Sequence, residues 1–242
     1  MELAERVNEE YLRILPAAKK EGKGELERDS ELLETIKEVT TYPGQVPFAP
    51  FEKAGMVFDV INSEEVLLEA FRLRYKAYLE VGYINPANFP LKMEFDIYDI
   101  ASIHFIARDK EGELAGYVRV IMDTKLDLPT GALVDISDYR KRYAICEISR
   151  NISYPRHQPE MNRKIRWMAY QWAEYFGIEQ MIGISLVDNK GWFDHNHIEP
   201  LDPPRGCRFD EYHNFGKNRG GEMYANTFDV KRNREFISSL GR

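Results

Sequence analysis

The sequence predicts an α/β domain in which a central sheet of about seven strands is flanked by helices and preceded by an N-terminal helical extension. Segments rich in β-branched and aromatic residues alternate along the chain with two long segments of helical apolar spacing. The run Asp109–Gly112, which separates two of the β-rich segments, is a hairpin turn signal. At 242 residues, the chain has the length of one large domain with an extension.

Residues 1–50 are expected to form the extension and its linker, and residues 51–242 the main domain. Two stretches of the extension, at about residues 3–15 and 29–40, have helical spacing. The proline-containing stretch 41–50 predicts an extended linker, because proline fixes φ and removes a hydrogen-bond donor. No chemical motif is recognisable in this region, so it either packs on the domain or extends to a partner.

The elements of the main domain follow one another in a simple order. A strand at about 55–61 precedes a long helix for which Asn62 is the expected N-cap. A second long helix, at about 160–176, begins with Pro159 in its first turn. The other segments with strand character lie at about 102–108, 113–122, 143–153, 180–187, 208–215 and 222–230.

Three charged side chains fall within segments whose other residues belong in a core. Arg74 shares the apolar stripe of the first long helix, and Arg119 and Glu147 each lie in the middle of a strand. An unpaired charge buried in such a place costs several kcal/mol. We therefore expect these ions to have buried partners, for which the acidic segment EFDIYD, residues 94–99, is a candidate.

The composition excludes several classes of protein. A net charge of −7 argues against a nucleic-acid partner. Integral membrane association is not expected, because no apolar run reaches the length of a membrane span. The N-terminus lacks the basic-then-apolar layout of a secretory signal. Cys146 and Cys207 are expected to be buried thiols, which favours a reducing, cytoplasmic location.

Four short motifs on successive elements carry a family resemblance. Arg74 lies four residues before Tyr78, the acidic segment has the spacing E-x-D-x-x-D, Arg119 lies three residues after Gly116, and Glu147 begins E-x-x-R. The segments are FRLRYKAYLEVGYI, EFDIYD, GELAGYVRVI and CEISRNISY. Over about residues 56–200, the chain resembles the GNAT acyltransferases. More narrowly, it resembles the branch of autoinducer synthases, N-acyl amino acid synthases and exosortase-associated acyltransferases.

The resemblance implies a GNAT-like mixed, twisted sheet and acyl transfer from a thioester to an amine. It also implies that Glu147 is the general base that takes the amine proton, directly or through a water. Backbone N–H groups of the same strand, where Ser149 is a further catalytic candidate, would hold the oxyanion. Regular alternation would place Glu147 and Arg150 on opposite faces, so we expect a bulge near Ser149 that brings both to one site.

The acidic segment of this branch faces the arginines and helps to shape the acceptor pocket. Carboxylates at these positions would give Arg74 and Arg119 bidentate partners, which makes the burial of a guanidinium tolerable. The substrate-binding candidates are Arg74, Tyr83, Glu94, Asp96, Asp99, Arg119 and Arg150.

The predicted donor follows from a missing phosphate loop. Acetyl-CoA-dependent GNAT proteins carry a glycine-rich pyrophosphate loop where this chain has Tyr154–Glu160, which contains no glycine. We therefore expect an acyl-phosphopantetheine thioester of acyl carrier protein as the substrate, rather than acyl-CoA, and no tightly bound cofactor. The acidic carrier protein would suit a local excess of basic residues, eight against two acidic between Tyr139 and Arg166. The carrier-binding candidates are Arg156, Arg163, Lys164 and Arg166.

No metal site is expected. Asp194–His197 contains two alternating histidines, but a third ligand at a diagnostic spacing is missing from the sequence. Met161, Trp167, Met168 and Trp172 could line an acyl chamber, although packing in the core is the simpler role for most of them.

The acceptor is expected to be an amino acid or a similar small amine, acylated with a medium- or long-chain group. Homoserine-lactone synthases carry a tryptophan that helps to hold S-adenosylmethionine at the position of Tyr83. Two alternatives stay open at this point. One is an acyl-homoserine-lactone synthase that uses S-adenosylmethionine. The other is a non-catalytic module that binds lipid or carrier protein, against which the retained charged residues argue.

Overall fold

The structure is a computed structural model that describes residues 25–40, 49–155, 158–186, 196–201, 206–208 and 222–241. The helices are α1 (Glu25–Thr40), α2 (Glu64–Glu80), α3 (Pro129–Leu133), α4 (Ser137–Arg142), α5 (Pro159–Tyr175) and α6 (Arg234–Leu240). Two 3-10 helices lie at Pro86–Asn88 and Ile97–Ala101. The strands are β1 (Phe51–Lys53), β2 (Met56–Val60), β3 (Ser102–Arg108), β4 (Leu114–Met122), β5 (Ile145–Ser153), β6 (Gln180–Leu186), β7 (Glu199–Pro200), β8 (Gly206–Arg208) and β9 (Glu222–Asp229).

All the described strands belong to one mixed sheet. Its order is β1-β2-β3-β4-β5-β6-β9-β7, and β8 also pairs with β9. The pairs are antiparallel except for β5 and β6, which are parallel. The sheet therefore confirms the predicted α/β class with a mixed sheet. It has nine strands in the described residues rather than about seven, because short strands such as β1 and β7 lack a sequence signal.

Helices cover both faces of the sheet, and each face has its own apolar core. Along β4, Tyr117 and Ile121 face the core under α1 and α2, whereas Val118 and Val120 face the core under α5 and α6. Both faces of β4 are buried, which explains its nearly continuous apolar sequence. Phe71 of α2 is 0% exposed, and full burial of such a side chain contributes about 1.5–3 kcal/mol.

The second helix of the extension packs on the main domain. Leu33 and Ile36 of α1 are buried in the same core cluster as Ile100, which follows the acidic segment. Lys37 also pairs with Glu64 of α2 at 2.6 Å. Of the two possibilities for the extension, packing on the domain therefore holds for this helix. The expected helix at 3–15 and residues 41–48 of the linker lie outside the described residues.

Two details of the long helices differ from expectation. The N-cap of α2 is Ser63 rather than Asn62, and its hydroxyl accepts a hydrogen bond from the backbone N–H of Val66. Leu79, whose helical spacing predicts a buried position, is 39% exposed in the last turn of the helix, which ends at Glu80. Among the described residues, no helix combines the length and the apolar character needed to cross a membrane.

The predicted bulge is present in β5. The pairing of β4 with β5 shifts register between Tyr117 and Arg119, so that β5 has one residue more than β4 in this interval. Arg150 lies in the extra stretch and has a φ of 58°, which is unusual for a residue with a side chain. Regular alternation is interrupted there, and the Arg150 side chain can therefore point to the same side as Glu147.

The ladder between β5 and β6 is short. It joins Ile145–Glu147 to Gln180–Ile182 and stops, although both strands continue. At this point, a Cβ on Gly183 would lie 3.0 Å from the carbonyl oxygen of Ile148. Beyond Glu147, β5 continues to pair with β4 and β6 with β9, so the sheet loses its hydrogen bonds between the two central strands. We call this place the strand split.

Candidate active site

The carboxyl group of Glu147 lies at the strand split. It is 1% exposed, and its Oε2 accepts a hydrogen bond from the backbone N–H of Thr130 at 2.8 Å. Its Oε1 is buried without a hydrogen-bond partner in the described part of the chain. Burial raises the pKa of Glu147 to about 7, against smaller lowering effects from Thr130 and Arg119. A carboxylate with such a pKa is suited to accept a proton near neutral pH.

Arg74 of α2 joins the two ends of the acidic segment. Its Nε donates to Glu94, and its Nη1 donates to Asp99 at 2.7 Å and to the Tyr117 hydroxyl at 3.1 Å. Burial alone would lower the pKa of Arg74, but Asp99 and Glu94 outweigh it and raise this pKa above its ordinary value. The guanidinium therefore keeps its charge in the interior.

Arg119 of β4 links the acidic segment to β5. Its Nη1 donates to Asp96 at 2.7 Å and to Asp99 at 2.8 Å. Its Nε donates to the hydroxyl of Ser149, the residue directly opposite on β5, at 3.0 Å. Ser149 is thus fixed by its side chain next to the bulge.

Arg150, at the bulge of β5, binds two carboxylates of the acidic segment. Its Nη2 donates to Glu94 at 2.9 Å and to Asp96 at 2.9 Å. Its guanidinium also lies over the ring of Tyr78, 5.8 Å from the ring centroid. The positive φ of Arg150 is therefore accompanied by two charge-assisted contacts that hold the bulge in place.

These groups form one charged lattice in which positive and negative charges balance. It consists of Arg74, Glu94, Asp96, Asp99, Arg119 and Arg150. Burial raises the pKa of each carboxyl, but the guanidinium groups outweigh it and hold all three below their ordinary values. Three guanidinium groups thus face three carboxylates, and their attraction offsets part of the cost of burying them.

One member of the lattice reaches solvent more than the others. The side chain of Asp96 is 21% exposed, whereas that of Glu94 is 4% exposed and that of Arg119 is buried completely. Asp96 also caps the following 3-10 helix, since its Oδ1 accepts from the N–H of Tyr98. Among the predicted substrate-binding residues of the lattice, Asp96 is therefore the one best placed to meet a ligand.

A family model of known proteins matches the part of the chain that contains this site. Residues 69–184 match the family model of the N-acyl amino acid synthase FeeM. This segment contains Glu147 and the whole charged lattice. Together with the GNAT-like fold, this match identifies the chain as an N-acyltransferase that is similar to the N-acyl amino acid synthases.

The fold of this acyltransferase is shared with solved structures of low sequence identity. FeeM, an N-acyl amino acid synthase from uncultured soil microbes, superposes with a TM-score of 0.54 and 14% identity over 77% of this chain and 95% of that chain. BjaI, a CoA-dependent acyl-homoserine lactone synthase solved with SAM and isopentyl-CoA, gives a TM-score of 0.57 and 21% identity over 73% of this chain and 81% of that chain. No curated protein matched the sequence.

Two of the carrier-binding candidates of the acyltransferase are wrong. Lys164 is 1% exposed, and its Nζ donates to the carbonyl oxygen of Leu240 at 2.9 Å. Arg166 is 6% exposed, and its Nη1 donates to Asn196 at 2.7 Å. Side chains that are buried and bonded within the molecule are not available to a docking partner.

The other two carrier-binding candidates keep their status as predictions. The side chain of Arg163 is 40% exposed and pairs with Glu160 at 2.6 Å, so it lies at the surface of α5. Arg156 lies outside the described residues. A docking surface for a carrier protein therefore retains Arg163 alone among the described candidates.

The remaining predictions concern side chains around the site. Cys146 is buried in the core on the opposite face of β5 from Glu147, and burial raises its pKa, so its predicted role as a core thiol is confirmed. Tyr83 packs against Tyr78, 5.9 Å between ring centroids, at the edge of the lattice. Met161, Met168 and Trp172 of α5 are buried in the core, and Trp167 is partly buried against it. Asp194, His195 and Cys207 lie outside the residues whose side chains are described.

Three polar residues of the site were not predicted from the sequence. His104 and Tyr117 lie behind Arg74, and the Nδ1 of His104 contacts the Tyr117 hydroxyl at 2.6 Å. Burial lowers the pKa of His104 to about 4, so its imidazole is neutral. Thr130, whose backbone N–H donates to Glu147, lies in the short helix α3, which was not predicted from the sequence. Strand pairing could have identified both His104 and Tyr117. His104 lies directly opposite Arg119, and Tyr117 is two residues from Arg119 on the same face of β4.

Proposed function

We propose that this acyltransferase moves a medium- or long-chain acyl group from an acyl-carrier-protein thioester to the amine of an amino acid or a similar small acceptor. Glu147 acts as the general base. The observation that carries the proposal is the place of Glu147: a buried carboxyl with a pKa near 7 and an unpartnered oxygen, at the point where the ladder between β5 and β6 ends.

The proposed reaction needs no covalent enzyme intermediate. The amine nitrogen attacks the thioester carbon, a C–N bond forms and the C–S bond breaks. Glu147 takes the proton that the nitrogen loses, and the departing thiolate takes up a proton to leave as a thiol. Charge develops on the carbonyl oxygen during attack, and backbone N–H groups of β5 near Ser149 are proposed to stabilise it.

The charged lattice supports this chemistry as a scaffold. Arg119 fixes Ser149 through its hydroxyl, and Arg150 is held at the bulge by Glu94 and Asp96. We propose that the buried lattice members position β5, and that Asp96 and Tyr83 contact the acceptor directly. This assignment narrows the substrate-binding set inferred from the sequence.

The donor and acceptor are the finer part of the proposal. The match to the N-acyl amino acid synthase FeeM supports an amino acid acceptor. The absence of glycine from Tyr154–Glu160 supports a carrier-protein donor over CoA, because a glycine-rich loop at this place cradles the CoA pyrophosphate. The exposed side chain of Arg163 is the described candidate for contact with an acidic carrier protein.

The test supplies the purified protein with acyl thioesters of several chain lengths, each on acyl carrier protein and on CoA. Amino acids and S-adenosylmethionine are offered as acceptors, and mass spectrometry identifies the products. An N-acyl amino acid formed from the carrier-protein thioester is the expected result. A lactone product would overturn the proposed acceptor, and turnover with acetyl-CoA alone would overturn the proposed donor. Failure to acylate any acceptor would overturn the enzymatic role.

A further inference from the structure

Thr130 presents a second unpartnered polar atom beside Glu147. Thr130 is 0% exposed, and its backbone N–H donates to Oε2 of Glu147 at 2.8 Å. Its hydroxyl lies close enough to lower the pKa of Glu147, yet Oγ1 completes no hydrogen bond within the described residues. Oε1 of Glu147 is likewise buried without a hydrogen-bond partner among the described residues. Buried polar atoms without partners are unfavourable, and two of them together indicate a ligand that supplies donors.

The segment that carries Thr130 is held in place from outside the site. Arg140 of α4 pairs with Asp123 at 2.7 Å and with Asp127. The Oδ1 of Asp127 accepts from the backbone N–H of Leu128 at 2.7 Å. A Cβ on Gly131 would lie only 2.5 Å from that same oxygen, so the backbone of α3 passes close to the Asp127 carboxylate. Thr130 is therefore fixed relative to Glu147 before a substrate arrives.

The two free oxygen atoms suit a nitrogen that carries two hydrogens. A neutral primary amine has two N–H groups and one lone pair. With one N–H donated to Oε1 of Glu147 and the other to Oγ1 of Thr130, the lone pair must point away from both oxygens and is free to attack. We propose that Glu147 and Thr130 bind the acceptor nitrogen in this way, and that the enzyme selects primary amines over secondary amines. The proposal rests on the proposed function.

The proton balance follows from the same geometry. After the nitrogen has attacked the thioester carbon, the N–H that faces Oε1 is the one transferred to Glu147. The N–H that faces Thr130 remains as the N–H of the amide product. A secondary amine has a single N–H, which is lost in the reaction, so its nitrogen leaves Oγ1 of Thr130 unpaired. The expected preference for a primary amine is about tenfold or more in kcat/KM.

The experiment compares alanine with N-methylalanine, and phenylalanine with N-methylphenylalanine, using the donor thioester that the wild type accepts. Thr130→Val keeps the shape of the side chain and the backbone hydrogen bond but removes the hydroxyl. We expect it to lower kcat/KM for the primary amines about tenfold and to leave the N-methyl amines little changed, so the ratio approaches one. Thr130→Ser should restore the preference. The ratio is insensitive to partial misfolding, because both rates scale with the same active fraction.

The matched control is Thr227→Val, which removes another buried threonine hydroxyl, one that already donates to Gln180 at 2.7 Å. It should keep the wild-type ratio. Equal rates for both amine classes in the wild type, or an unchanged ratio in Thr130→Val, would overturn the role of Thr130 and leave the proposed function standing. A steric preference would persist in Thr130→Val, which has the same volume. A wild type that acylates no amine would overturn both proposals.

Discussion

At the scale of single residues, each lattice arginine donates hydrogen bonds to two carboxylates of the acidic segment. Removal of Arg74 would leave Glu94 and Asp99 with an excess of buried negative charge. We expect Arg74→Met to lower the free energy of unfolding by about 3–5 kcal/mol. Urea unfolding measures the change.

The same helix offers a matched control for Arg74. Arg72 lies two residues away on α2 and is exposed. Arg72→Met should change the free energy of unfolding by less than about 0.5 kcal/mol, as is usual for surface positions. Equal effects of the two substitutions would show that the lattice does not stabilise the fold.

The sequence allowed the prediction of those residues whose burial has a large cost. Arg74, Arg119 and Glu147 stood out because a charge on a core-facing position requires a partner. Thr130 and Tyr117 could not be found in this way, since a neutral polar group is common in any part of a chain. The docking role of Lys164 failed for a different reason. Its partner is the carbonyl oxygen of Leu240, far away in the sequence, and no local pattern announces such a contact.

At the scale of elements, β5 combines the two features on which the site depends. The bulge turns Arg150 toward the lattice, and the early end of the ladder with β6 leaves Glu147 at the strand split. Gly183 allows the close approach of the strands at this point, because its missing side chain leaves room for the carbonyl oxygen of Ile148. We therefore expect the geometry of the split to be sensitive to Gly183.

Gly183→Ala adds one methyl group 3.0 Å from that carbonyl oxygen, so one of the strands must shift by a few tenths of an ångström. We expect kcat/KM to fall about tenfold or more, since small misplacements of reacting groups have large effects on rate. The free energy of unfolding should fall by about 1–3 kcal/mol, as for other overpacked sites. Steady-state kinetics and urea unfolding measure the two effects. Unchanged kinetics would mean that the split does not position the reacting groups.

The order of the elements was predictable, but several boundaries and short elements were not. The long helices and central strands have strong periodicity, and their positions agree with expectation to within a few residues. The short helices α3 and α4 were missed because five or six residues show too little periodicity. The bulge was expected only from the resemblance, and its register shift confirms it. The strand expected at 208–215 lies mostly outside the described residues.

At the scale of the whole molecule, two buried groups give opposite dependences of stability on pH. The pKa of His104 is lowered from 6.5 to about 4, so its contribution is present above the ordinary pKa and is lost as the pH falls toward 4. The pKa of Glu147 is raised from 4.5 to about 7, so its contribution is present at low pH and is lost as the pH rises toward 7. Between these limits, the two effects partly cancel.

A variant that lacks one of these two side chains should show the pH dependence of stability that the other side chain produces. Relative to the wild type, Glu147→Gln should lose stability progressively as the pH is lowered from 7 to 4.5, by about 1–3 kcal/mol in total. His104→Gln should show the opposite slope. Urea unfolding at intervals across this range measures both slopes. Parallel pH profiles for the wild type and both variants would show that neither group is perturbed by burial.

The most direct test of the central claim is the pH dependence of acyl transfer with Glu147 and with Gln at position 147. For the wild type, we expect kcat/KM to rise with pH through an apparent pKa of about 7, the value that burial gives to Glu147. The apparent pKa of this rise should be the same for acceptors whose amines differ in pKa, because the rise reflects ionisation of Glu147 in the enzyme. Glu147→Gln should lose roughly a hundredfold in rate together with this rise. A Glu147→Gln variant that keeps near-normal turnover and the same rise would contradict the assignment of Glu147 as the general base.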